Sequence, residues 1–202
     1  VQPTTAQYIR DMLWSILLAA AVAFGIIRPF ILQTYWIPSG SMEPTLYQGD
    51  RLVAFMFTYR FRDPRPGEII IFQKDGDYRE YKIPLGFTTI KWKSYTKFIK
   101  RVIAVGGDVI EIRNLTVYVN GKPLDEPYIK APPLSDMPPF KVPPDHIFLM
   151  GDNRNNSNDC RFWGPARTPK ALPVENVISK ASFRFWPPGR MSLLQQQPID
   201  YK

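Results

Sequence analysis

Prolines set the first limit on what this chain folds into. There are 21 of them in 202 residues, alongside 14% aromatic residues, and a helical bundle has little use for either. Inside a helix a proline removes a backbone donor and clashes with the preceding turn. At strand edges and in loops it costs little. Short apolar runs bounded by turn residues fit the same picture. Arg51-Leu52-Val53-Ala54-Phe55-Met56-Phe57 follows Gly49-Asp50, and Glu68-Ile69-Ile70-Ile71-Phe72 follows Pro66-Gly67, which reads as buried or half-buried sheet. Val109-Ile110-Glu111-Ile112 and Leu115-Thr116-Val117-Tyr118-Val119 alternate, and Asn120-Gly121 offers a tight hairpin turn. The chain is long enough for one domain with a core plus a small appendage.

One segment departs from this pattern. Met12 to Ile27 is apolar or small throughout except for Ser15, and Arg28-Pro29 separates it from Phe30-Ile31-Leu32. As a helix it covers roughly 24 Å of a hydrocarbon core about 30 Å thick, so a transmembrane helix over about 12–31 needs the flanking apolar residues or a locally thinned bilayer. A cleaved signal peptide, helped by Ala21-Val22-Ala23, and a buried core helix are the rival readings. The formal charge of +8 fits an anionic membrane better than nucleic acid, because the basic residues are dispersed and no nucleic-acid motif accompanies them. The lone Cys160 excludes an intramolecular disulfide and reads as a small buried hydrophobe.

Serine chemistry needs a base. The single histidine, His146, lies between Pro143-Pro144-Asp145 and Ile147-Phe148-Leu149-Met150, where it marks a loop-to-strand junction. A lysine kept neutral by burial can do the same work. Ser41 sits in the bend Ser39-Gly40-Ser41, where Gly40 lets the backbone approach a peptide carbonyl closely. A serine-rich turn ending at Pro44 and a solvated Lys100-Arg101 pair are the bland alternatives.

The stretch Ile37 to Leu46 resembles the nucleophile box of type I signal peptidases, and Gly49-Asp50-Arg51-Leu52-Val53 the segment that follows it. Phe98 to Asp108, with Lys100-Arg101, is similar to the family's lysine box, and Gly151 to Arg161 to its last box. The order of the boxes, after an apolar segment, makes the resemblance specific. It implies a membrane-bound serine endopeptidase that removes signal peptides from preproteins, cutting after small residues through an acyl-enzyme. Ser41 is then the nucleophile, Lys100 the base, and the Ser39 hydroxyl with the Ser41 N–H the oxyanion hole. Ser157 orients the lysine, and Asp159 and Arg161 hold their loop against the core. Asp152 and Arg154 supply a second ion pair, although Asp152 also reads as a triad acid or a metal ligand. Tyr35, Ile37, Pro38, Met42, Phe98 and Ile99 map onto shallow pockets for the substrate side chains.

The fold expected is mainly β: an antiparallel-sheet catalytic core (33–112 and 145–186) with a small inserted β/loop subdomain (113–144), one N-terminal transmembrane helix within 1–32, and a tail (187–202). No cofactor and no metal are expected, since no second acidic cluster is suitably spaced. The expected partners are preprotein signal peptides and membrane lipids, with no nucleic acid and a monomeric chain. The expected place is the inner or plasma membrane, with the catalytic domain on its outer face and Phe30, Trp36 and Phe57 at the bilayer interface. A narrower self-cleaving Ser-Lys protease and a non-enzymatic lipid-binding β domain are the competing functions. The latter requires Lys100 exposed and far from Ser41.

Overall fold

The computed structural model describes residues 4–23, 25, 32–85, 88–197 and 199. In chain order its regular elements are helix α1 (Thr5–Val22) and strands β1 (Leu32–Trp36), β2 (Arg51–Phe55), β3 (Ile69–Pro84), β4 (Thr89–Val105), β5 (Val109–Arg113), β6 (Thr116–Val119), β7 (Lys122–Pro123), β8 (Met137–Lys141), β9 (His146–Met150), β10 (Leu172–Pro173), β11 (Val177–Trp186) and β12 (Ser192–Leu193). The larger sheet runs β1-β2-β11-β3-β4-β9-β10, with β12 added beside β11, and the smaller runs β7-β6-β5-β8. The strand pairings are antiparallel. The expectation of a mainly antiparallel β protein therefore holds.

The apolar run of β3 explains the layering. Ile70 and Phe72 point into one core, which also takes in Ile110, Ile112, Val117 and Val119 of the smaller sheet. Ile69 and Ile71 point the other way, into a second core with Ile37, Met42, Leu46, Leu52 and Leu194. A strand buried on both faces reads as a continuous apolar run, which is what the sequence carries here. Burying Met42 and Leu46 completely contributes about 1.5–3 kcal/mol each and nails the segment between β1 and β2 to the sheet. Val109–Arg113 pairs within the smaller sheet, and the β6–β7 connection is the Asn120-Gly121 turn with both residues at positive φ.

Helix α1 corrects one expectation. It starts at Thr5 rather than near Met12, because Thr4 and Gln7 form a reciprocal capping box: the Thr4 N–H donates to Gln7 Oε1 at 2.7 Å and the Gln7 N–H to Thr4 Oγ1 at 3.4 Å. Gln7, Arg10 and Asp11 are thereby inside the helix. Among the described residues no helix is long and apolar enough to cross a membrane. Residues 24 and 26–31 of the expected span, Phe30 among them, lie outside the described residues.

The C-terminal segment closes the second core. Leu194 is buried in it, and Gln196 accepts from the Ile69 N–H at 2.8 Å while donating to Ala181 O at 2.8 Å. Gly67 has φ +87°, and a Cβ there would come within 1.6 Å of Gln197 O. Gly49 has a similar φ of +90° with open space around it. Gly49→Ala should therefore cost only the strain of a left-handed backbone, about 1–2 kcal/mol. Gly67→Ala should cost more in urea unfolding and expose the 192–197 segment to limited proteolysis. Equal losses for the two variants would show that the segment yields freely.

Candidate active site

The turn that carries Ser41 is closed at its base like a hairpin. The Ile37 N–H donates to Asp50 O and the Gly49 N–H to Ile37 O, both at 2.9 Å. Within it the Leu46 N–H reaches Met42 O at 2.9 Å, and Met42 and Leu46 are fully buried, so the turn cannot swing. The segment 151–153 grips it from the other side. Asn153 donates its backbone N–H to Ser41 O at 3.1 Å and its side-chain amide to Gly40 O at 3.0 Å. Gly151 lies so close that a Cβ would sit 2.5 Å from Ser41 O.

Lys100 arrives from β4. Its Nζ is 2.7 Å from Ser41 Oγ and 3.0 Å from Ile99 O. The lysine is 5% exposed and Ser41 9%. Burial pushes the Lys100 pKa down from 10.5 to about 8, against the opposing pull of the Asp159 and Asp152 carboxylates. The Ser39 hydroxyl, on the exposed side of the turn, lies 3.5 Å from Ser41 Oγ. His146 is elsewhere. It opens β9 at the end opposite Met150, which pairs with Arg101, and its Nδ1 is 2.8 Å from Pro144 O. Five residues of strand put it roughly 16 Å away along the sheet.

The charged groups beneath the site sort into pairs that only partly match expectation. Asp159 and Arg161 form a buried two-pronged pair, Nε to Oδ1 at 2.8 Å and Nη2 to Oδ2 at 2.9 Å, and Asp159 also accepts the Gly151 N–H at 3.0 Å. Asp152 and Arg154 do not pair with each other. Asp152 takes Arg101 instead, Nε to Oδ1 at 2.8 Å and Nη2 to Oδ2 at 2.7 Å, and accepts the Thr45 hydroxyl. Arg154 is paired to Glu126 through both terminal nitrogens. The reason is strand alternation: Lys100 faces Ser41, so its neighbour Arg101 projects away, into contact with Asp152, Gly67 O and the Tyr128 ring. Ser157 Oγ is buried with no hydrogen-bond partner among the described residues. The expected bond to the lysine is not made: Nζ bonds Ser41 Oγ and Ile99 O. Cys160 is fully buried in the larger core, with its thiol pKa pushed up by burial.

Five of the six expected substrate-contact residues, Tyr35, Ile37, Pro38, Phe98 and Ile99, line one pocket together with Trp36, Ile71 and Lys97. Met42 does not, since it is packed under the turn in the second core. Sequence reasoning missed Thr45, Glu126 and Asn153, and gave Arg101 no role. Asn153 was visible inside the last box, whereas Glu126 sits in a proline-rich stretch without a distinguishing pattern.

A family profile described as "Signal peptidase, peptidase S26" matches residues 9–186, the whole of this arrangement. The chain belongs to that family. It is 41% identical over 192 residues to a probable signal peptidase I-1 of Synechocystis sp., covering 95% of this chain and 90% of that one. It is 35% identical to signal peptidase I of Mycobacterium tuberculosis, over 87% of this chain and 72% of that protein. Against thylakoidal processing peptidase 1 of Arabidopsis thaliana the identity is 37%, over 85% of this chain and 47% of the plant protein. A solved signal peptidase I from Enterococcus faecalis is 22% identical, with a TM-score of 0.41, covering 59% of this chain and 97% of that one.

In this peptidase fold the depressed pKa has a stability consequence. Unfolded, Lys100 titrates near 10.5, and folded near 8. Between those values the unfolded chain holds more protons, so stability rises with pH across that window. Below pH 8 the buried ammonium carries its full penalty, on the order of 3 kcal/mol. Lys100→Met should therefore be more stable than the parent at pH 6–7, with the difference shrinking towards pH 10. A pH-independent difference in denaturant midpoints would show that Lys100 keeps an ordinary pKa in the fold.

Proposed function

We propose that this chain is a type I signal peptidase that cleaves preproteins after small residues, with Ser41 as nucleophile and Lys100 as general base. The observation that carries the reading is a buried lysine amine 2.7 Å from the serine hydroxyl. At pH 7.5 an ordinary lysine is neutral in roughly one molecule in a thousand, whereas one titrating near 8 is neutral in roughly a quarter. The neutral amine accepts the Ser41 proton as Oγ attacks the scissile carbonyl. The resulting ammonium then donates that proton to the departing amine, leaving an acyl ester on Ser41. Water, deprotonated by the same amine, releases the acyl group. The Ser39 hydroxyl and the Ser41 N–H are the donors for the oxyanion. A non-enzymatic lipid-binding domain has no use for a lysine sequestered in this way.

The substrate is read as an extended peptide added along the free edge of β1, the terminal strand of the larger sheet. Its small side chains enter the pocket of Tyr35, Ile37, Pro38, Phe98 and Ile99. Asp152, Arg154, Asp159 and Arg161 act as scaffold. Ser157 acts on the lysine's aim, which its unpaired buried hydroxyl beside Gly151 suits. The core, the small inserted subdomain and the tail work as one monomeric unit. Helix α1 holds it at the inner or plasma membrane with the catalytic sheets on the outer face. All of its residues are exposed, Leu13, Trp14, Leu17 and Leu18 among them.

Ser41→Ala and Lys100→Ala should each abolish preprotein cleavage, with the double variant no worse than either, because the two act as one unit. His146→Ala should retain activity, and the parent's rate should climb with pH through about 8, the Lys100 value. An inactive His146→Ala, or a rate limb that vanishes with it, would assign the base elsewhere. Ser39→Ala should lower turnover about 10²- to 10³-fold with little change in substrate binding, and Ser39→Thr should recover part of it. Weakened binding at unchanged turnover would make Ser39 a substrate contact instead.

A further inference from the structure

The hairpin of β3 and β4 extends well beyond both cores. From Tyr78 paired with Tyr95 to Pro84 paired with Thr89 it is a two-stranded ribbon, about 20 Å long at the rise of an antiparallel strand. Every residue of it is exposed. At its tip the Leu85 N–H donates to Thr88 O at 2.7 Å. Directly opposed residues share a face, so the register sorts the ribbon into two sides. One side carries Tyr81 against Trp92 and Ile83 against Ile90, with Arg79 against Ser94 at its end nearest the core. The Tyr81 and Trp92 rings stack at 5.3 Å, and the four side chains are 42–51% exposed. The other side carries Glu80 against Lys93 and Lys82 against Lys91, with the Lys93 ammonium 4.3 Å from the centre of the Tyr78 ring. From Tyr78 to Tyr95 there are four cations, Arg79, Lys82, Lys91 and Lys93, and one carboxylate, Glu80.

We propose that the Tyr81, Ile83, Ile90 and Trp92 face of this ribbon docks into the interface of an anionic lipid bilayer, a second membrane contact independent of α1. A two-stranded ribbon with an apolar face and, among the described residues, no covering layer is marginal in water. The interface takes aromatic and branched side chains at headgroup depth while the long lysines reach the phosphates from the opposite side. Area excludes the obvious competitor, a second copy of the chain. Four side chains fall far short of the roughly 800 Å² per partner that a stable dimer buries. The ribbon's second strand runs on to Lys100, so a lipid-seated ribbon would fix the catalytic strand relative to the membrane surface.

The test uses the full chain and nitroxide labels on single cysteines introduced by Ile83→Cys, Ile90→Cys, Lys82→Cys and Lys91→Cys. The native Cys160 is fully buried and does not compete for label. With vesicles of phosphatidylcholine containing 30% phosphatidylglycerol, labels at 83 and 90 should become accessible to oxygen and shielded from a water-soluble nickel complex. Labels at 82 and 91 should keep their aqueous behaviour. Vesicle affinity of the Ile90→Ser, Trp92→Ser double variant should fall at least tenfold, with dyad-dependent cleavage of a short soluble peptide unchanged. Four labels equally exposed to water would overturn the proposal. So would equal partition into pure phosphatidylcholine, spin–spin broadening without lipid (a second copy), or shielding only on addition of a signal peptide.

Discussion

Two carboxylates, Asp152 and Asp159, lie close enough to Lys100 to raise its pKa, and each is held in a two-pronged pair by an arginine. A neutral lysine at moderate pH depends on that arrangement. If either carboxylate were free to turn to the ammonium, the lysine would gain an ion partner and stay charged. Arg101 and Arg161 take up the negative charge, and burial is left as the dominant influence on the amine. The arginines carry a structural risk in exchange. Buried ion pairs contribute little net stability beside a well-packed apolar alternative, yet removing one partner costs about 3–5 kcal/mol. The pairs under this site are therefore better understood as a way of placing charge than as a source of stability.

The same pairs fix the geometry of the Ser41 turn. Asp152 accepts from Thr45 at the far end of the turn while bound to Arg101, which also donates to Gly67 O. Asp159 accepts the N–H of Gly151, the residue whose missing side chain lets the last box press against Ser41 O. Apolar burial of Met42 and Leu46 restrains the turn from below and the 151–153 segment restrains it from the side. Ser41 Oγ is thus positioned by three separate parts of the chain before any substrate arrives.

What was legible in the sequence depended on whether a motif marked both partners of an interaction. Ser41, Lys100 and the Asp159–Arg161 pair were legible because each lies in a short ordered motif with its own turn residues. Ser41 and Lys100, 59 residues apart, were brought together only by the family resemblance. The partners of Asp152 and Arg154, 51 and 28 residues away, were not found, because no motif marks Arg101 or Glu126 as their partners. Met42 was misplaced among the pocket residues because an apolar side chain beside a nucleophile fits pocket and core equally well. Only the register of β3 separates Ile69 and Ile71, which meet it, from Ile70 and Phe72, which do not. The start of α1 was missed because a capping box at Thr4, ahead of the apolar run, outweighed hydropathy in setting the helix boundary.

The prolines that first excluded a helical bundle also decide which sheet edges stay open. Four strands end the two sheet paths: β1, β10, β7 and β8. Three of them carry proline, as Pro173, Pro123 and the Pro138-Pro139 pair. A proline offers no N–H to an incoming strand, so those edges resist pairing with another chain. β1 alone among the four has a proline-free run of five residues, Leu32–Trp36. It is also the strand whose end, through Tyr35 and Trp36, lines the pocket beside the Ser41 turn. Of these four terminal strands, β1 is the one that keeps its full set of backbone N–H groups, and it lies beside the Ser41 turn. That supports the proposed addition of an extended peptide along it.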